Sequence, residues 1–98
     1  MNNLEYKLNK AIEGWNYLWN LLEKEAKRGK VKTEILTVFY RYQVELDATK
    51  HKLENIENKI KKSILSDDED KEIIDDALSM HITNFQAIAL TIEKLLRS

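Results

Sequence analysis

The sequence predicts an all-α fold: an elongated antiparallel three-helix bundle with coiled-coil-like packing. Three observations carry that expectation. An unbroken 3-4 spacing runs through Ile35, Phe39, Tyr42, Leu46, Thr49, Leu53, Ile56 and Ile60, the seam of one long helix that buries a stripe against its neighbours. The 98 residues include no proline, so no position forbids a helix interior. Two boundary signals, at Gly29 and at Ser66 to Glu69, cut the chain into three segments of similar length.

Helix 1 is expected over about residues 3–28. An asparagine cap at Asn2 or Asn3 precedes Glu5, and Leu4, Leu8, Ala11, Trp15, Leu18 and Leu22 alternate at 4-3 spacing, with Ile12, Trp19 and Ala26 widening the stripe. Lys27 and Arg28 suit the negative helix end, and Gly29 is able to take φ > 0. Gly14, beside Trp15, reads as room for a ring or a closely packed helix.

Helix 2, with Thr33 as its cap, is expected over about residues 33–65, ~50 Å at the α-helical rise. Ser66-Asp67-Asp68-Glu69 is a capping box whose acidic turn complements the helix dipole. It opens helix 3, about residues 67–97, with Ile74, Leu78, His81, Phe85, Ile88, Ile92 and Leu95 on its seam. Short turns imply up-down-up packing. Helix 1 should pair with the first half of helix 2, and helix 3 should fold back along all of helix 2. A chain of this size forms one domain, residues 1–98, and buries roughly two thirds of the surface its unfolded form exposes.

Composition excludes several functions. With no cysteine, disulfides, thiolate zinc sites and cysteine nucleophiles are ruled out. Lys+Arg 16 against Asp+Glu 17 gives a net charge of -1, which offers no global field to a polyanion, so no nucleic-acid partner is expected. No stretch approaches a membrane span and the start lacks a signal-peptide pattern, so the expected location is cytoplasmic, with no membrane contact. Lysine outnumbers arginine 13 to 3, and Ile, Asn and Glu abound, the bias that AT-rich coding produces in a low-GC bacterium or its phage. The only glycines are Gly14 and Gly29, and neither a phosphate-cradling loop nor a nucleophile elbow occurs.

Four carboxylates form the most specific pattern, Glu54-x-x-Glu57 and then Glu72-x-x-Asp75. It resembles the E-x-x-E, E-x-x-D signature of the MazG-like all-α nucleotide pyrophosphohydrolases. The resemblance implies that Glu54, Glu57, Glu72 and Asp75 hold Mg²⁺, which bridges the phosphates of a nucleoside triphosphate through hard oxygen ligands. The competing reading is a solvated face, because Glu57 precedes Lys61 by four residues and Glu54 follows Lys50 by four. His81 occupies a seam position, where it reads as a largely buried, neutral imidazole hydrogen-bonded across the bundle. Thr49 reads as a hydroxyl bonding a nearby carbonyl. Asp47 and His51, spaced i, i+4, read as a surface pair.

A third constellation is apolar residues where the seams predict solvent: Tyr17; Tyr40 and Val44; and Ile73, Met80, Ala87 and Leu90. Leu36, Tyr40, Val44 and Ala48 form an i, i+4 row on helix 2. Such a patch marks an interface, so Tyr17, Leu36, Tyr40, Val44, Ala87 and Leu90 are the candidate interface residues. The expected function is a non-enzymatic protein–protein interaction module without cofactor or metal: a small inhibitor, antitoxin-like regulator or accessory subunit that forms a homodimer. The enzymatic alternative is the MazG-like hydrolase with Mg²⁺. Bacteriocin immunity proteins, which also use small helical bundles, are a third class on architecture alone.

Overall fold

The computed structural model describes residues 2–62 and 68–97. Among them are three helices, α1 (Asn2–Lys27), α2 (Thr33–Lys61) and α3 (Asp68–Arg97), and no strand. They form an up-down-up bundle 49 Å long and 18 × 16 Å across. Ser66 and Asp67 of the capping box, and the expected last residues of helix 2, lie outside the described residues.

The seams supply the buried core, although Trp15, Ile35, Tyr42, Thr49, His81, Ile88 and Leu95 on them are only half-buried. Leu8, Ala11, Leu18 and Leu22 of α1 meet Phe39, Leu46 and Leu53 of α2 and Leu78, Phe85 and Ile92 of α3 in one core. Trp15 is half-buried and donates from Nε1 to the Leu46 carbonyl oxygen at 2.6 Å while stacking on Trp19 at 5.2 Å. Ile60, near the end of α2, is only half-buried. Glu25, absent from every seam, is 8% exposed and accepts hydrogen bonds from Arg28 at 3.2 and 3.3 Å, which answers its charge at the end of α1.

Gly29 takes φ +67 with no heavy atom near its missing Cβ, so the turn selects glycine for backbone reasons alone. The cap of α2 differs from the expectation. Lys32 occupies the N-cap, without a side-chain cap bond, and Thr33 is already helical. The first turn relies instead on Glu34 against the dipole.

The helix pairing also differs. α3 runs beside α1, parallel to it, more closely than beside α2, and α2 and α3 approach each other least of the three pairs. Small residues decide this. A Cβ built on Gly14 would sit 3.1 Å from Phe85 Cδ2, so the ring of α3 rests on α1 backbone more closely than a side chain there would ordinarily allow. Ala11, fully buried one turn earlier, keeps the same face low. Nearer the start of both helices, Lys7 Nζ reaches Asp75 at 2.9 Å and donates to Ser79 Oγ at 2.9 Å.

Leu46 of α2 and Phe85 of α3 both fill this core against α1. Leu46→Ala is expected to cost ~2–5 kcal/mol and Phe85→Ala ~3–5 kcal/mol in chemical denaturation, through lost transfer energy and the cavity left behind. An unchanged unfolding midpoint in both variants would contradict the register.

Candidate interaction surface

Every residue the seams place outward is exposed, including Val44 (71%), Leu90 (60%), Tyr17 (54%), Tyr40 (53%) and also Ile73, Met80 and Ala87. Leu36 is half-buried. The i, i+4 row from Leu36 to Ala48 drifts around α2, since four residues overshoot a full turn by about 40°. It therefore starts beside α1, crosses the back of α2 at Val44 and ends on the side of α3. Tyr17 belongs elsewhere, so the six candidate residues do not share one face.

Two grooves flank α3. The first, about 520 Å³, runs between α1 and α3, with Gly14 and Phe85 in its floor, Tyr6, Lys10 and Tyr17 on one wall and Gln86 on the other. Tyr6 is 62% exposed under the Lys10 ammonium, 5.5 Å from the ring centroid. The outward set missed Tyr6, although its place outside the α1 seam was readable. The second groove, about 320 Å³, lies between α2 and α3, where Leu46, Thr49, His81, Phe85 and Ala87 face it. It exists because these two helices pack least closely.

His81 lines that second groove, half-buried rather than largely buried. A seam position on the loosely packed side stays open to water. Among the described residues its ring stacks on Phe85, centroids 6.2 Å apart, and no hydrogen bond crosses to it. Burial lowers its pKa below the usual histidine value, and the Lys52 charge pushes the same way. Thr49 Oγ1 donates to the Glu45 carbonyl oxygen at 2.9 Å, the expected bond to a nearby carbonyl, but the bond is exposed and the residue half-buried rather than interior. Asp47 and His51 are exposed.

The four carboxylates are not gathered. Asp75 is held by Lys7 on the α1 side of α3, and Glu57 pairs with Lys61 at 3.2 Å. Glu54 and Glu57 line a groove between α2 and α1, while Glu72 is exposed on α3. With α3 drawn onto α1, the body of α1 separates the two acidic pairs. No group of three or more His, Asp or Glu able to hold a metal occurs among the described residues. No described helix is long and apolar enough to cross a membrane. No family model, curated protein or solved structure matches the chain.

Two outcomes follow from this placement. Millimolar Mg²⁺ or Mn²⁺ is expected to leave the melting temperature unchanged, because Glu54, Glu57, Glu72 and Asp75 are not gathered around a cation site and binding is what would raise it. A metal-dependent rise together with triphosphate hydrolysis would reverse that conclusion. For His81, a folded pKa below the unfolded value of about 6.5 means that its contribution is fully present above that pH and is lost as pH falls through the folded pKa. Acidification below about 6.5 should therefore weaken folding, and His81→Gln should flatten that part of the stability profile measured by denaturant titration.

Proposed function

We propose that this chain is a non-enzymatic protein-interaction module, a small inhibitor, antitoxin-like regulator or accessory subunit, which acts through side chains displayed on rigid helical faces and associates as a homodimer in the cytoplasm. The observation that carries this reading is the exposure of Tyr40 and Val44 on the back of a helix whose seam is already satisfied. A monomeric bundle gains nothing from an aromatic ring and a β-branched chain there. Covering each is worth roughly 1.5–3 kcal/mol, enough to set an oligomeric state. The grooves are open and lie between helices, which suits an approaching helix or flat protein surface.

Light scattering should show a dimer for the wild type. Tyr40→Glu combined with Val44→Glu should yield a monomer of unchanged helicity by circular dichroism. A wild type that stays monomeric at high concentration, with the double variant still capturing the same cellular partners, would contradict the proposal.

A further inference from the structure

The faces of α2 and α3 that flank the groove between them differ in character. On α2, Arg41, Glu45, Ala48, Lys52, Asn55 and Lys59 repeat at 4-3 spacing and all are exposed. On α3, Ile73, Ala77, Met80, Asn84, Ala87 and Thr91 repeat in the same way, as a second seam beside the one that packs on α1. Asp70 and Asp76 flank Ile73 at three residues on either side. The turn-proximal half of the α2 wall is thus basic and that of the α3 wall acidic. Among the described residues, no ion pair uses Lys52, Lys59, Asp70 or Asp76.

The helices are antiparallel, and the groove fixes their levels. Thr49 and Leu46 stand across from Asn84 and Ala87, and the Lys52 charge is felt at His81. Lys59 is therefore level with the Ile73 to Asp76 turn, and Ala48 with Asn84 to Ala87. When two copies of this face meet about a two-fold axis parallel to the helices, α2 of each lies on α3 of the other at the same level. Lys59 then meets the aspartate side of the Ile73 to Asp76 turn, Lys52 lies roughly one to two turns along from it at the level of His81, and Val44 and Ala48 meet Ala87 and Leu90. A perpendicular axis instead sets α2 on α2 with levels inverted, bringing Lys52 and Lys59 toward Tyr40 and Arg41.

We infer that the α2/α3 face is the homodimer surface, occupied by a second copy of this chain related by a two-fold axis parallel to the bundle, with α2 of each protomer on α3 of its partner. The inference rests on the interaction reading above and specifies its geometry. An interface of this kind is isologous and closes at two subunits. It leaves the Tyr6 and Tyr17 groove outside the dimer.

Charge exchange between copies tests it. Lys52→Glu with Lys59→Glu makes both walls acidic, and Asp70→Lys with Asp76→Lys makes both basic. All four sites are exposed, so each variant should fold, and each should lose at least tenfold in dimer affinity by sedimentation equilibrium. An equimolar mixture should restore a dimer containing one of each by native mass spectrometry, since every α2/α3 pair across that interface regains opposite charge. Separately, Ala48→Cys mixed with Ala87→Cys should oxidise to the mixed disulfide in preference to either symmetric one. A monomeric wild type, undiminished dimers of either charge variant alone, failure of the mixture to dimerise, or a preferred symmetric disulfide would each overturn the α2/α3 geometry. If the charge variants stay dimeric while Tyr40→Glu with Val44→Glu does not, the interaction reading stands and only this face falls.

Discussion

The contact of Phe85 with the backbone at Gly14 governs the layout of the molecule. A ring seated 3.1 Å from where a Cβ would be requires α3 to lie close on α1, and α1 already carries α2 on the neighbouring side through Trp15 and Leu46. One helix thereby becomes the spine for two. The third pairing then cannot be equally close, because side chains of ordinary size at Thr49, His81 and Ile88 keep α2 and α3 apart. The groove there, the half-hydrated imidazole in it and the separation of the acidic pairs all follow from the same close approach.

Periodicity shows which face of a helix is buried but not which neighbour covers it. The three seams were legible for that reason: Leu46, Leu78 and Ile92 lie in the core where their spacing put them. The order of packing was not. The clue to it was Gly14, whose meaning as space for a ring was legible while the identity of the ring, from a residue some seventy positions away, was not. Glu25 escaped for a different reason. A carboxylate at a stripe edge looks solvated in sequence, and only the position of Arg28 three residues on shows how its charge is answered. The outward apolar residues Tyr17, Tyr40, Val44, Ala87 and Leu90 were legible one by one, yet a helical row drifts about 40° every four residues, so spacing alone does not show which of them share a face.

The carboxylate pattern illustrates how spacing alone misleads in a chain that is 34% charged. Residues at i and i+3 share a helix face whatever they do, and a second pair on the next helix completes a signature only if the two helices face each other. Here Asp75 turns to Lys7 and Glu57 to Lys61. Asp75 and Glu57 each have a cation within hydrogen-bonding reach, and Glu54 has Lys50 one helical turn away, which is how exposed helices settle their charge.

A net charge of -1 conceals a segregated distribution, with lysines along the turn-proximal half of α2 and acids along the start of α3. At physiological ionic strength fields fade over about 8 Å, so columns of opposite sign some 10 Å apart look neutral from a distance and become charged only near contact. Such a surface draws no polyanion from afar and accelerates no long-range encounter. What it supplies is a choice of pairing: α2 laid on α2 of the other copy brings lysines toward Arg41 and away from the aspartates, and like charges brought together cost several kcal/mol. Apolar side chains such as Met80 and Val44 supply area without preference for position. The charged columns therefore set which alignment is chosen, and the exposed apolar residues set how tightly it holds.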